Sequence, residues 1–362
     1  MHCNPKSSTM VDRRGFLWLG SLAAAAVAAP LRLFAEAGPE FDENAIVFLA
    51  DVHAGAGKKC AVARAKFKET VSEILAMRPL PRNVLVFGDV AYTCGLGADY
   101  DVSRPLFKKL EDAGIVVTIG MGNHDRRSEY AKHWPEAAAK SLVPGRYVHL
   151  LETPHVDFLM LDSLQGSDDR ANDDKGPVKG ALSDDQQEFL RKFVAERSKP
   201  VVLCAHHKAG ELSVCGEGMT AFMLKSPCVA GYIHGHNHRW RRDWTRDMSQ
   251  NPPHRAKREL CLPSNGMWGD IGYALCRLKP DRIVIEPILK DFWVPRPVPK
   301  EQRPPEWDDL LFEARASGPC TIRLNYINQG CQNNERNASS GVPGLLGRGH
   351  GELRLAAAPV RG

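Results

Sequence analysis

Ile46-Val47-Phe48-Leu49-Ala50 runs without a polar residue into Asp51-Val52-His53. A continuous apolar run of this length predicts a strand buried on both faces, inside a sheet covered by helices. The same pattern recurs down the chain. Val84-Leu85-Val86-Phe87 ends at Gly88-Asp89, and Val116 to Met121 ends at Gly122-Asn123-His124-Asp125. Phe158 to Asp162 is a further strand. Val201 to Ala205 ends at His206-His207, and Val229 to Ile233 leads to Gly235-His236-Asn237-His238. Helical spacing fills the gaps, over Ala61–Met77, Leu106–Ala113 and a helix running to Arg197. The last is predicted to start on a capping box, with Ser183 as N-cap and Gln186 three residues on. This alternation predicts an α/β fold. Each polar motif begins where an apolar strand stops, which is where α/β sheets carry ligands. Five strand ends are therefore expected on one sheet rim. Glu259–Leu262, Ile271–Leu278 and Arg282–Ile288 read as strands of a second sheet.

The motifs are rich in metal donors. Oxygen and imidazole ligands together suit hard-to-intermediate divalent or trivalent ions. Asp51 and His53 alternate along an extended segment, so both can face one ion. Asp89 can bridge two ions with its two oxygens, and Asn123 offers an amide oxygen. His236 and His238 again alternate, placing one imidazole on each ion. His206 and His207 compete for one remaining position. Asp125 beside His124 can orient that imidazole. Arg126 reaches either a substrate phosphate or a surface ion pair. His234 is expected to pack at its strand end. His2, His133, His149, His155, His254 and His350 have no partner motif.

The ordered set D-x-H, G-D, G-N-H-D, H and G-H-x-H, between about Asn44 and Pro287, resembles the calcineurin-like metallophosphoesterase superfamily. The resemblance implies a four-layer sandwich of two mixed β-sheets flanked by helices. It assigns Asp51, His53, Asp89 and His238 to a first ion, and Asp89, Asn123, His206 and His236 to a second. His124 becomes the non-ligand histidine near the phosphoryl group. The implied cofactors are two divalent or trivalent ions, Mn, Fe or Zn. The implied reaction is hydrolysis of phosphomonoesters or phosphodiesters by water activated at the metal pair. Class III cyclic-nucleotide phosphodiesterases share this motif, and a non-catalytic metal-binding protein on the same scaffold is the rival reading. Two departures stand out. Lys208 replaces the proline of the family's H-x-P. Tyr92 lies at the G-D-x-x-Y spacing of purple acid phosphatases, where tyrosine binds ferric iron, yet His53 stands where those enzymes carry glycine. Tyr92 and His53 are thus both candidate ligands of the first ion.

Composition bounds the rest. The 362 residues are 43% hydrophobic and 25% charged, ordinary for a soluble globular protein. The net charge of +5 is diluted along the chain, so no nucleic-acid partner is expected. Arg239, Arg241, Arg242 and Arg246, interleaved with Trp240 and Trp244, form the densest basic run, read as a solvated rim or a surface that attracts an anionic substrate. No pair among the ten cysteines has CxxC spacing, which excludes a zinc ribbon. Cys204 and Cys276 read as buried hydrophobes. Asp12-Arg13-Arg14-Gly15-Phe16-Leu17, an apolar run to Leu33 and Ala35-Glu36-Ala37 resemble a twin-arginine (Tat) signal, although Asp12 and Trp18 replace the usual Ser and Lys. Met10 is an alternative start. The run is short for a bilayer span, which needs about 20 residues, so no stable membrane span is expected. The expected partners are a small phosphoester and the Tat machinery, and the expected location is periplasmic or extracellular. The domain reading is a signal over 1–37, a phosphoesterase domain over 44–290, a Pro-rich extension with a short helix at Trp307–Ala316 over 291–324, and a disordered tail over 325–362.

Overall fold

The computed structural model describes residues 38–92, 94–166, 179–247, 254–293 and 318–324, with only the backbone course of 244–247, 254–256 and Trp293. Along the chain come β1 (Phe41–Leu49), α1 (Ala61–Ala76), β2 (Leu80–Val86), α2 (Gly97–Asp112), β3 (Val116–Ile119), α3 (Arg127–His133) and α4 (Pro135–Ala139). Then follow β4 (His149–Leu151), β5 (Asp157–Met160), α5 (Asp184–Glu196), β6 (Val201–Ala205), β7 (Ser213–Val214), β8 (Glu217–Gly218) and α6 (Met219–Lys225). The remainder is β9 (Val229–His234), β10 (Arg241–Asp247), β11 (His254–Cys261), β12 (Gly269–Lys279), β13 (Arg282–Trp293) and β14 (Cys320–Arg323).

Two six-stranded mixed sheets result, with orders β14-β13-β12-β1-β2-β3 and β10-β11-β9-β6-β5-β4, and β7 and β8 form a separate small ribbon. Parallel pairing joins β1, β2 and β3 in the first sheet, and β5, β6, β9 and β11 in the second. The period-2 geometry of β1 shows why its run is apolar throughout. Ile46, Phe48 and Ala50 join the core that holds Phe158, Leu203 and Tyr232 of the second sheet. Val47 and Leu49 turn the other way, toward Phe67, Val71 and Ile74 of α1 and Phe107 of α2. Phe48 meets Phe87 and Phe158 edge-on, at 5.4 and 5.8 Å between ring centres, tying the two sheets together. Emptying that position with Phe48→Ala would cost about 3–5 kcal/mol. Leu190 and Val194 of α5, with Met219 and Met223 of α6, pack onto the second sheet's strands. The fold is the helix-flanked, two-sheet α/β sandwich the motifs implied.

Three expectations are corrected. The motif-bearing strands do not share one rim: β1, β2 and β3 belong to the first sheet, β6 and β9 to the second. The three late strands also divide, β11 joining β9 while β12 and β13 extend the first sheet beyond β1. The Ser183 capping box does not form. Gln186 is drawn inward instead, where its amide bonds both the N–H and the C=O of Asp162, at 3.1 and 2.9 Å. Cys204 and Cys276 are fully buried as expected. The reading of 291–324 missed β14, which pairs antiparallel with β13 and completes the first sheet. The signal over 1–37, the helix at 307–316 and the tail over 325–362 lie outside the described residues. Among the described residues no helix is long and apolar enough to cross a membrane.

Candidate metal centre

β1 and β2 stay paired past their strand ends. Asp51 N–H donates to the Gly88 carbonyl (3.2 Å) and His53 N–H to that of Asp89 (2.9 Å), so the two motifs run side by side. The second sheet supplies its motifs from across the sandwich. His206 Nδ1 sits 2.8 Å from the Phe87 carbonyl, and the His236 N–H reaches the Asp51 carboxylate at 3.0 and 3.1 Å. Gly88 permits this approach. Its φ is +82°, and a Cβ there would lie 2.6 Å from Gly122 N and 2.9 Å from His206 Nδ1.

Strand alternation is not what aims the ligands. Asp51, His53, Asp89, His236 and His238 all adopt left-handed φ, between 47° and 66°, a conformation that non-glycine residues rarely take. Trp268 does the same at 63°. Clustered backbone strain of this kind marks functional sites, where the surrounding structure holds it in place.

The side chains gather in two adjoining sets. Asp51, His53, Asp89 and His238 form one, and His206, His207 and His236 the other, each with potential ligand atoms within 4.8 Å of one another. Asp89 Oδ2 lies between them, 3.2 Å from His206 Nε2 and 3.8 Å from His53 Nε2. Its Oδ1 accepts the His124 N–H at 2.8 Å. Asn123 Oδ1 is 3.2 Å from His206 Nε2, which is 3.2 Å from His236 Nδ1. His238 Nε2 is 3.1 Å from Asp51 Oδ1 and 3.4 Å from His53 Nε2. Two buried carboxylates and convergent imidazoles make a donor set that fits cations.

The electrostatics agree. Burial pushes the Asp51 and Asp89 carboxyls up, but His238 beside Asp51 and His206 beside Asp89 outweigh it and hold both below the usual range. Burial opposes charge on His206 too, yet Asp89 and Asp51 raise it to about 9. Burial wins at His53, lowered to about 3, and at His236, lowered to about 4. Asp51 beside His238 and Asp89 beside His206 favour positive charge on both rings, the kind of charge a bound cation would supply.

Several site readings change. Asp125 does not orient His124. Its carboxylate accepts the N–H groups of Val90, Ala91 and Gly122 and the Tyr100 hydroxyl, at 2.9–3.1 Å, fastening the loops after β2 and β3 together. His124 Nδ1 is instead held 2.8 Å from the Tyr92 carbonyl, leaving Nε2 4.0 Å from Asp89 Oδ2. The same carbonyl holds His53 Nδ1 at 3.1 Å. The Tyr92 carbonyl thus holds both rings, and the Tyr92 ring stacks on Trp268. Arg126 is buried, with Nε 2.6 Å from the Cys94 carbonyl, and does not line the open cavity. Arg239 does line it, partly exposed, its guanidinium 4.7 Å above the Phe292 ring. Elsewhere in the basic run, Arg241 pairs with Asp243 and Arg242 with the Pro319 carbonyl. His234 is buried at its strand end, Nδ1 2.8 Å from the Gly235 carbonyl.

Sequence reasoning missed the segment Ser264-Asn265-Gly266-Met267-Trp268. Ser264 Oγ donates to the Asp51 carbonyl (2.9 Å), Asn265 N–H to that of Ala50 (2.7 Å), and Gly266 N–H to that of Asp51 (3.0 Å). The Met267 carbonyl holds His238 Nδ1 at 2.8 Å. Trp268 stacks on His238 and meets His53 edge-on. A cavity of about 340 Å³ opens above the sets, lined by Asp89, Asn123, His124, Asn237, Arg239 and Trp268 among others.

The family model for calcineurin-like phosphoesterases matches residues 45–240, more than half of the chain and all five motifs. The chain belongs to the calcineurin-like phosphoesterase family. A probable cyclic nucleotide phosphodiesterase of Psychrobacter arcticus is 27% identical over 173 residues, covering 46% of this chain and 56% of that protein. The chain thus spans little more than half the length of this relative. Solved structures that align with the chain are more remote. TT1561 of Thermus thermophilus aligns at 13% identity and TM-score 0.38, over 65% of this chain and 94% of that one. Zinc-complexed Vps29 of Entamoeba histolytica aligns at 11% and 0.33, over 68% and 92%. Members of this family usually bind divalent metals, and the Asp/His sets of this chain could hold them.

Proposed function

We propose that the protein is an exported phosphoester hydrolase with a binuclear metal centre. The observation that carries the reading is Asp89, whose Oδ2 stands between a carboxylate-bearing set and a histidine set. Asp51, His53 and His238 would hold one ion, Asn123, His206 and His236 the other, and Asp89 both. Bound there, such ions would supply Lewis acidity to phosphate oxygens and to a nearby water. The chain's own groups do the rest. Arg239 at the rim offers a guanidinium to the anionic ester. With Nδ1 donating to the Tyr92 carbonyl, His124 presents Nε2 to the cavity, and protonated there it delivers a proton to the departing oxygen. The carbonyls of Phe87, Met267 and Tyr92 fix the ligand rings, so little reorganisation is needed at reaction. The cavity of about 340 Å³ beside the two sets is where a small phosphoester would bind.

The Psychrobacter relative favours one narrower reading, a cyclic-nucleotide phosphodiesterase. Export by the Tat route rests on the sequence pattern of Arg13 and Arg14. The test is metal analysis of purified protein, followed by assays on mono- and diesters, cyclic nucleotides included, after reloading with Mn, Fe or Zn. Hydrolysis of at least one class is expected. A fully loaded protein that cleaves none would be a metal-binding protein without turnover.

A further inference from the structure

Three of the four ligand histidines share a signature. One ring nitrogen is tethered to an oxygen and the other faces the cluster: His206 Nδ1 to the Phe87 carbonyl, His238 Nδ1 to that of Met267, His53 Nδ1 to that of Tyr92. Such outer partners set tautomer and ring orientation at metal sites. His207, outside the ligand set that the family pattern supplies, has the same signature. Its Nδ1 lies 2.8 Å from Ser163 Oγ. Its Nε2 is buried and, among the described residues, has no hydrogen-bond partner. Its ring centre is 4.8 Å from those of both His206 and His236. One potential ligand atom from each of the three lies within 4.8 Å of the others.

A buried polar nitrogen left without a partner is destabilising, so it calls for an occupant. The ring cannot easily turn away. A Cβ on Gly180 would lie 2.5 Å from His207 Cγ, so the backbone there packs flat against the imidazole. Ser163 Oγ also accepts the His207 N–H at 3.3 Å, and the His207 carbonyl accepts the Tyr232 hydroxyl at 2.6 Å. In the tautomer whose Nδ1–H donates to Ser163 Oγ, the lone pair is on Nε2.

We propose that His207 is a third imidazole ligand of the second cation, binding through Nε2 beside His206 and His236. The proposal rests on the two-ion reading above. Three nitrogen donors would bias that side toward ions late in the first-row series, zinc over manganese.

The test uses the full chain, stripped of metal and titrated with Zn²⁺ and Co²⁺, with X-ray absorption counting imidazoles per ion. His207→Ala is expected to keep the first ion and bind the second about 100-fold more weakly, with a lower imidazole count. Ser163→Ala, which frees the ring without removing it, is expected to weaken the second ion by about 10-fold. Unchanged second-ion affinity and unchanged imidazole count in His207→Ala overturn the proposal. If that variant loses its thermal transition, Ser163→Ala and His207→Asn decide, and wild-type affinity and spectrum in both overturn it. Uptake of fewer than two ions by the wild type overturns the two-ion reading itself, and this proposal with it.

Discussion

The two halves of the site are built differently. One set, Asp51, His53 and Asp89 from the ends of β1 and β2 joined by His238 from beyond β9, carries two buried carboxylates, while the other, His206, His207 and His236 from beyond β6 and β9, is made among the described residues of three histidines. One side brings charge and the other lone pairs. Asp89 is the carboxylate that reaches a ring on the histidine side, 3.2 Å from His206 Nε2, whereas Asp51 accepts the main-chain N–H of His236. The asymmetry teaches that the second half depends on a residue belonging to the first.

That dependence gives the largest predicted effect. Asp89→Asn keeps the volume but removes the charge that faces His206 and His53. Both ions should weaken together and turnover should fall by about 10⁴-fold, roughly 5 kcal/mol of barrier. Metal content and steady-state rates check it. A variant that loses only one ion would show the halves to be independent. His124→Ala should separate chemistry from binding, since its ring is tethered to Tyr92 and stands 4.0 Å from Asp89, while the N–H that bonds Asp89 is main-chain and stays. Both ions should remain while kcat falls about 10²–10³-fold. Loss of metal in proportion to activity would instead make it a support for the ligands.

Much of this was legible in the sequence, for a physical reason. Asp51, Asp89, His206 and His236 interrupt apolar runs, and a polar side chain at a buried strand end needs a partner. What escaped notice works through main-chain atoms. The carbonyls of Met267, Tyr92 and Phe87 fix the histidine rings, and a carbonyl leaves no trace in residue type. The one signal for Ser264–Trp268 was position: a polar Ser-Asn after the short apolar stretch Leu260–Pro263. The alternation of Asp51 with His53 was read as strand geometry because residue spacing cannot report a left-handed φ. The division of motifs between two sheets was hidden too, since pairing partners are set by long-range packing rather than local pattern.

The charge asymmetry also sets the pH response of the metal-free protein. His206 is raised to about 9 by Asp89 and Asp51 against the cost of burial. Its contribution is fully present below the unfolded value near 6.5 and is lost as pH rises through about 9, about 3 kcal/mol at the upper bound. His53, lowered to about 3 mainly by burial, acts oppositely, weakening the fold as pH falls below 6.5. Metal-free protein should therefore melt highest near pH 6–7, and zinc should flatten the alkaline arm because the ion replaces the His206 proton. Equal slopes with and without zinc would detach His206 from the metal. A smaller effect comes from the missed segment. Ser264→Ala removes hydrogen bonds to the Asp51 and Met267 carbonyls, and with them part of the support for His238. A stability loss of about 1–2 kcal/mol is expected, with weaker binding of the first ion and little change in the second.

The smallest effect is expected at Tyr92, where sequence left two ligand candidates side by side. The first half already contains His53, its ring held by the Tyr92 carbonyl, and the phenol makes no hydrogen bond to the set. Burial, with Cys60 and Asp99 nearby, raises the Tyr92 phenol, which disfavours the phenolate an iron would need. Tyr92→Phe preserves the carbonyl and the face that stacks on Trp268, so metal content and turnover should stay within about two-fold of wild type. The ferric-loaded wild type should be colourless. A visible charge-transfer band that disappears in Tyr92→Phe would place the phenolate on the metal and reverse the roles of the two residues. Without such a band, His53 is the group that completes the carboxylate half, and the tyrosine contributes its backbone.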